Sequence, residues 1–234
     1  MKFALRAVVG VTVAGACFCS PGALAETQIS IYGGANWNFG SDVKITRPGF
    51  VNNPGSETRS IDWDGDPFEA PPYWGVRGTY WLSRFASWGF AIDYTHQKAI
   101  AHLNFNDPAE EFSHLEFTDG NNVLLLEALY RFSPMMRGAL VPYVGVGVGV
   151  TVPHVEVTFR GHDAERTFEY QCCGPAAQIM AGLEYKLDES WSLFTEAKLS
   201  YSHIDADIRG GGSLETDLWS PAVALGLTYR FGSF

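Results

Sequence analysis

The sequence predicts an all-β fold, an eight-stranded antiparallel up-and-down β-barrel that spans a membrane. Three observations support this prediction. Many stretches of about ten residues alternate between apolar and polar side chains, which is the pattern of a strand with two different faces. The chain combines 14% aromatic residues with 25 glycines, a composition typical of membrane barrels. Beyond the N-terminal segment, no apolar run approaches the roughly 18 residues that a transmembrane helix needs.

The alternation defines eight strands, each long enough to cross the apolar part of a bilayer. Residues 191–203 show it most clearly, because Leu193 and Leu199 face one side while Glu196 and Lys198 face the other. The connections are alternately short and long, as expected for short periplasmic turns and long extracellular loops. The predicted strands are 28–39, 71–82, 88–100, 121–132, 140–152, 174–187, 191–203 and 218–231. The short turns are 83–87, 133–139 and 188–190, and the long loops are 40–70, 101–120, 153–173 and 204–217.

The N-terminus has the parts of a secretory signal peptide: a basic start, a short apolar run and Ala-Leu-Ala at 23–25. We therefore expect residues 1–25 to be cleaved and residues 26–234 to form one barrel domain in the outer membrane of a bacterial cell. The last residue is Phe234, and a terminal aromatic strand is what barrel-assembly machinery recognises. This machinery is therefore an expected partner, together with the outer-membrane lipids.

The chain is acidic, with 26 Asp and Glu residues against 16 Lys and Arg residues. This balance argues against nucleic acid as a partner, because sequence-independent binding to phosphates needs clustered Lys and Arg side chains. The cysteines left after cleavage are the neighbours Cys172 and Cys173. Adjacent Cα atoms lie about 3.8 Å apart, which is closer than in most disulfides. Two free thiols or an uncommon vicinal disulfide are therefore favoured over a metal site.

Charged side chains are also predicted on the inward face of the strands. Buried charges persist when they are paired, so we expect one interlocked network. An eight-stranded barrel is just wide enough to be filled by its own side chains, which argues against a diffusion pore. In 144–150, alternating valine and glycine predict valine towards lipid and glycine towards the lumen. The nine predicted lumen charges are Arg77, Asp93, Glu127, Arg131, Glu184, Lys186, Glu196, Lys198 and Arg230.

Two His-x-Glu pairs are the most conspicuous candidates for chemistry. Residues two apart on an extended chain face the same way, so His114 with Glu116, and His154 with Glu156, can each present an imidazole and a carboxylate together. Such groups bind divalent metal ions or act as general acids and bases. The alternative is that these are ordinary solvated loop residues. The full set of candidate catalytic residues is Glu69, Glu116, Asp119, His154, Glu156 and Glu169.

Five segments stand in order along most of the mature chain: Phe-Glu-Ala-Pro-Pro-Tyr-Trp-Gly (68–75), Leu-Glu-Phe-Thr-Asp-Gly (115–120), Val-Pro-His-Val-Glu-Val (152–157), Phe-Glu-Tyr-Gln (168–171) and Gly-Gly-Gly-Ser-Leu (210–214). Together they resemble the lipid A oxidase family of outer-membrane barrels. The resemblance implies an enzyme that uses molecular oxygen to convert the proximal glucosamine of lipid A to 2-aminogluconate. Lipid A, the anchor of lipopolysaccharide, is then the expected partner. No catalytic roles are carried over with it.

Under this hypothesis the candidates form a site on the barrel rim, at the height of the lipid head groups. Arg160, Arg166 and Arg209 are candidate substrate-binding residues, because guanidinium groups bind phosphate. A divalent metal ion is a further expectation, with His154, Glu156, His114 and Glu116 as candidate ligands. Two alternatives remain open: a non-enzymatic barrel with an adhesive or structural role, and a lipid A deacylase.

Overall fold

The computed structural model describes residues 26–47, 55–67, 69–83, 87–107 and 110–231. The predicted signal peptide, Phe68 and the terminal Phe234 lie outside these residues. Within them, no helix is long and apolar enough to cross a membrane. The strands are β1 (Glu26–Asn36), β2 (Ser41–Thr46), β3 (Glu57–Ile61), β4 (Trp63–Asp64), β5 (Tyr73–Trp81), β6 (Trp88–Ala101), β7 (Phe112–Arg131), β8 (Leu140–Phe159), β9 (Thr167–Tyr170), β10 (Gly174–Lys186), β11 (Trp191–Asp207) and β12 (Ser213–Phe231).

Eight of these strands close into an antiparallel barrel. The order around the ring is β1-β5-β6-β7-β8-β10-β11-β12, and β12 pairs with β1. Ile29 lies opposite Tyr229 at this closing seam. Closure leaves no unpaired edge within the ring, as backbone amides in lipid require. The fold prediction is therefore confirmed, including its number of barrel strands and the short connections after β5, β7 and β10.

The outer wall carries exposed apolar side chains, such as Leu126, Val148 and Leu225. Aromatic side chains border this band at both ends, as at the two interfaces of a bilayer. Trp88 and Tyr130 pack at the end with the short turns, their ring centroids 5.0 Å apart. At the other end the exposed aromatic residues include Trp37, Phe39, Trp74 and Trp219.

The lumen is filled by side chains, and its central section is ionic. Lys198 Nζ lies 2.9 Å from Asp93 Oδ2 and 3.5 Å from Glu196 Oε2. Arg77 pairs with Glu196 and lies 3.8 Å from Glu127. All five side chains are buried. This group forms an ion-pair network that blocks the middle of the barrel.

A second group of charges lies nearer the periplasmic end. Arg230 pairs with Glu26 at 2.9 Å and with Glu184 at 2.8 Å, while Arg131 pairs with Glu26 at 3.0 Å. The described ion pairs of the lumen thus form two groups, and the expectation of one network is corrected. An uncharged layer separates them, since the strand positions between the two groups hold residues such as Ser30, Thr79 and Thr228. Two of the nine charges, Arg131 and Lys186, are only half-buried.

The valine and glycine residues of β8 point as predicted. Val146 and Val148 are exposed on the wall, and the intervening glycines face the lumen. A Cβ atom at Gly145 would meet Leu129 at 2.6 Å, and one at Gly147 would meet Glu127 at 3.1 Å. The glycines therefore make room for side chains from the neighbouring strand.

Most of the described residues in the predicted long loops belong to strands, which corrects their assignment. β7, β8, β11 and β12 continue past the outer aromatic residues, and the hairpin of β2 and β3 adds to β12. Inside this extension, inward-facing residues form an apolar core. Burial of these alternate residues is what keeps the segments extended. The core includes Val43, Ile45, Trp63, Phe112, Leu115, Phe117, Val155, Val157, Phe159, Ile204, Leu214 and Leu218. The structure also joins Cys172 and Cys173, between β9 and β10, as a vicinal disulfide.

Candidate functional site

The candidate site lies on the outer wall of the extracellular extension, across β7, β8 and β9. Val155 and Val157 of β8 point into the apolar core, so the alternate residues His154 and Glu156 point outwards. On β7, Glu116 lies directly opposite Glu156 in the strand pairing. Cross-strand partners share a face of the sheet, so the two predicted His-x-Glu pairs come together.

A β-bulge in β7 completes this arrangement. Between Glu116 and Asn121 the pairing with β8 shifts, so β7 holds extra residues opposite His154. Gly120 closes the bulge with a φ of 111°, a backbone conformation that glycine adopts easily. Bulges redirect side chains. Here the bulge turns Asp119 and Thr118 towards the outward-facing group.

The result is a cluster of two imidazoles and three carboxylates, which we call the His–Glu cluster: His114, Glu116, Asp119, His154 and Glu156. The Nε2 atom of His114 lies 2.7 Å from Glu116 Oε1 and 3.5 Å from Glu156 Oε2. The Nδ1 atom of His154 lies 3.1 Å from Glu156 Oε1 and 3.7 Å from Asp119 Oδ2. Glu156 is therefore the residue shared by both halves of the cluster.

Neighbouring polar groups hold Glu156 in place. Arg166 Nη2 donates to Glu156 Oε2 at 3.1 Å, and the Thr118 hydroxyl lies 3.0 Å from Glu156 Oε1. The Glu156 side chain is only 6% exposed, whereas that of Arg166 is 49% exposed. A buried carboxylate with a half-exposed cation beside it can bind a ligand arriving from outside the barrel.

The cluster changes the acidity of its members. The Glu116 carboxylate, at hydrogen-bonding distance, raises the pKa of His114, and Glu156 acts in the same direction. For Glu116, partial burial opposes ionisation, but the imidazole of His114, whose Nε2 atom lies 2.7 Å from Glu116 Oε1, outweighs it and the pKa is lowered. The cluster thus favours a protonated imidazole beside an ionised carboxylate, which is a ready donor and acceptor of protons.

The donor atoms also fit a divalent metal ion. His114, Glu116 and Glu156 form one group of ligand atoms within 4.8 Å of one another, and Asp119, His154 and Glu156 form another. The His114 Nε2 atom is buried and is not aligned for a hydrogen bond despite its close carboxylates. Imidazole and carboxylate groups that converge in this way suit first-row transition ions such as Zn²⁺, Mn²⁺ or Fe²⁺.

Comparison with known proteins places this barrel in a family. The profile described as "Outer membrane protein beta-barrel domain" matches residues 10–231. The chain belongs to this family. It is thus an outer-membrane β-barrel protein of bacteria. A search of curated proteins gave no match.

Solved structures that are similar to this outer-membrane barrel share little sequence with it. The Neisserial surface protein NspA is 13% identical, with 90% of this chain and 99% of that chain covered and a TM-score of 0.46. OprG from Pseudomonas aeruginosa is 14% identical, with 91% and 99% covered and a TM-score of 0.48. AlkL is 21% identical, with 92% and 94% covered and a TM-score of 0.42.

Two predicted catalytic residues of this outer-membrane barrel lie apart from the His–Glu cluster. Glu169 lies opposite Val155, so it shares the inward side of β9 while its neighbours Phe168 and Tyr170 face the cluster. Glu69 is exposed before β5, where its main-chain oxygen accepts a hydrogen bond from Lys98 Nζ at 3.0 Å. Neither carboxylate has a described contact with the cluster.

The three predicted arginines are also in different places. Arg166 belongs to the cluster through Glu156. Arg160, at the end of β8, donates to the main-chain oxygen of Asp107 at 3.2 Å. Arg209 lies beside β9, where its backbone amide donates to Thr167 Oγ1 at 3.0 Å.

Three residues of the site are not among the candidates predicted from the sequence: Thr118, Phe168 and Tyr170. Thr118 bridges two carboxylates of the cluster, and Phe168 and Tyr170 pack against His154 with ring centroids 4.5 and 4.6 Å away. Alternation does mark Phe168 and Tyr170 as sharing one face. It does not reveal that β9 pairs with β8, and this pairing is what brings them to His154.

Proposed function

We propose that this protein is a lipid A oxidase, which uses molecular oxygen to convert the proximal glucosamine of lipid A to 2-aminogluconate. The observation that carries the proposal is the outward-facing His–Glu cluster, placed above the lipid-facing wall. Val152 is the last outward valine of β8 before the cluster, and His154 and Glu156 follow it by two and four residues. At the rise and tilt of barrel strands, they lie about 5 and 10 Å higher, where the head groups of lipids are found.

Access from the side fits this substrate. The central ion-pair network fills the lumen, and a cavity within the lumen beside it measures about 10 Å³, room for about one water molecule. The extracellular extension is closed by its apolar core. A ligand of the cluster therefore comes from the membrane plane or from outside the cell. Lipid A meets that condition because it resides in the outer leaflet.

The proposed reaction removes two hydrogens from the hemiacetal at C1 of the sugar. Dioxygen takes up both electrons and both protons to give hydrogen peroxide, and water opens the lactone to the acid. The net gain is one oxygen atom. Glu156, held beside His154, is suited to accept the hydroxyl proton, and Arg166 to contact a negatively charged group of the substrate. A divalent metal ion at the cluster would supply Lewis acidity and, in the case of iron, electron exchange with dioxygen.

Mass spectrometry of lipid A tests the proposal. The protein is expressed in cells that lack this lipid A chemistry and whose lipid A carries a free hydroxyl at C1, and lipid A is compared with and without air. We expect a gain of one oxygen atom that requires both the protein and air. Glu156→Gln and His154→Ala should abolish it, because they remove the shared carboxylate and its partner. Asp205→Asn, an exposed acid on β11, is the matched control and should retain activity.

The two alternatives give different spectra. A lipid A deacylase would remove the mass of a fatty acyl group and leave the sugar unchanged. A non-enzymatic barrel with an adhesive or structural role would leave lipid A unaltered, although heat-dependent gel mobility shows it folded. Either result would refute the oxidase, as would full activity of the Glu156→Gln protein.

A further inference from the structure

Two aromatic side chains are exposed above the membrane, beside the His–Glu cluster. Phe168 is 47% exposed and Tyr170 is 57% exposed. Both lie on β9, which pairs with β8 at the height of Glu156 and His154. Interfacial aromatic residues lie at the edge of the apolar band. Tyr170 and Phe168 lie about 5 and 10 Å beyond Val152, at the height of the lipid head groups.

The strand that carries these rings is fastened at both ends. The Gln171 side chain forms two hydrogen bonds of 2.8 Å with the backbone of Asp207, one accepted and one donated. At the other end, Thr167 Oγ1 accepts a hydrogen bond of 3.0 Å from the Arg209 amide. The Tyr170 hydroxyl donates to a main-chain oxygen at 2.8 Å. A surface fixed in this way binds a ligand with little loss of conformational entropy.

The polar groups around the rings complete the chemistry. Arg166 lies over Phe168, with its Cζ 4.5 Å from the ring centroid. Asp119, whose carboxylate is half-exposed, accepts the Tyr170 hydrogen bond at its main-chain oxygen. A pyranose ring has an apolar C–H face that suits the negative face of an aromatic ring, and hydroxyls at its edge that suit carboxylate and guanidinium groups. Exposed aromatic rings edged by such groups therefore match a sugar.

We propose that Phe168 and Tyr170 form a saccharide-binding surface that receives a sugar ring of the lipid A head group and positions it against the His–Glu cluster. The inference rests on the proposed function for the identity of the sugar. Binding at this surface does not depend on that function, because a sugar can bind without being oxidised. His154 packs against both rings, with ring centroids 4.5 and 4.6 Å away, so a sugar lying on them is next to the cluster.

The test measures binding of a water-soluble probe, the glucosamine disaccharide of lipid A with its acyl chains removed. The folded protein in detergent micelles is titrated with the probe, and chemical shifts or heats give the Kd. Phe168→Leu and Tyr170→Leu keep apolar volume and remove the ring. We expect each to raise the Kd about 2–10-fold, the range for one aromatic contact. Tyr170→Phe keeps the ring and should bind nearly as the wild type does.

The control is Trp219→Leu, which removes an exposed aromatic side chain from the wall formed by β12. It should leave the Kd unchanged. The proposal is overturned if the wild type does not bind the probe, if the β9 variants bind as well as the wild type, or if Trp219→Leu weakens binding equally. Ring-dependent binding without any change in lipid A mass would refute the oxidase and leave this surface standing. Oxidation of lipid A together with unaltered probe binding in the β9 variants would refute this surface and leave the oxidase standing.

Discussion

Replacing Arg77 with Met should strongly destabilise the barrel, because Arg77 neutralises the central ion-pair network. Its side chain is 4% exposed, and those of its partners Glu196 and Glu127 are fully buried. Methionine fills similar volume without charge, which leaves three carboxylates of the network, including that of Asp93, facing the single cation Lys198. Breaking a buried ion pair from one side costs about 3–5 kcal/mol, since the remaining charge keeps its desolvation penalty. We expect a loss of that size.

The assay is reversible unfolding by urea in lipid vesicles, followed by tryptophan fluorescence. Arg131→Met is the matched control, because its side chain is 21% exposed and its pair with Glu26 lies at the end of the barrel. We expect it to cost about 0–1 kcal/mol. The double variant Arg77→Met/Glu196→Gln should recover part of the stability, because it also removes the Glu196 carboxylate that Arg77 neutralises. The reasoning is refuted if Arg77→Met costs no more than Arg131→Met.

Four other predictions concern the pore, the extracellular core, a lumen glycine and a surface carboxylate. Purified protein in planar bilayers should show no stable conductance steps; regular steps would reveal a water path through the lumen. Phe117→Ala, at a fully buried core position, should lower the free energy of unfolding by about 3–5 kcal/mol in the same urea assay, and a loss below about 1 kcal/mol would contradict this. Gly149→Ala should block barrel assembly, because the added Cβ would lie 2.0 Å from a main-chain oxygen. Gly78→Ala should assemble, because its Cβ would have no atom within 4 Å, and heat-dependent gel mobility distinguishes folded from unfolded protein for both variants. The hydrogen bond from the Tyr201 hydroxyl lowers the pKa of Asp217. The ionised carboxylate therefore stabilises the fold at pH values above its unfolded pKa of about 3.9. This stabilisation is lost as the pH falls through the lower pKa of the folded state. Tyr201→Phe should raise the Asp217 pKa in an NMR titration, and an unchanged pKa would rule out the hydrogen bond.

The barrel itself was predictable because the polarity of each residue depends on the side of the strand that it faces, which can be read from a short stretch of sequence. A strand in a membrane wall has lipid on one side and a crowded lumen on the other, so each residue reports its face by its polarity. Arg77, Glu127 and Glu196 were assigned to the lumen in this way, and all are buried there. The division of the charges into two groups was not predictable, because it depends on the relative heights of residues on different strands.

The extracellular extension was predicted as loops although its signal was present. Val155, Val157 and Phe159 alternate with His154 and Glu156, just as in the membrane-spanning strands. The strand was ended too early because the outward residues changed from apolar to polar. That change marks the edge of the membrane, and the inward residues continue to pack.

The sequence by itself determined the strands, their two faces and the pairing of each histidine with the glutamate two residues later, because these depend on the period of an extended chain. Only the tertiary structure decided that the two pairs meet. That requires Glu116 opposite Glu156 in the strand register, the bulge that turns Asp119 outwards and the pairing of β9 with β8. The same parity that exposes Phe168 and Tyr170 to the cluster turns Glu169 away from it. Register between distant segments is set by side-chain packing across the whole barrel, and no single segment of sequence contains that information.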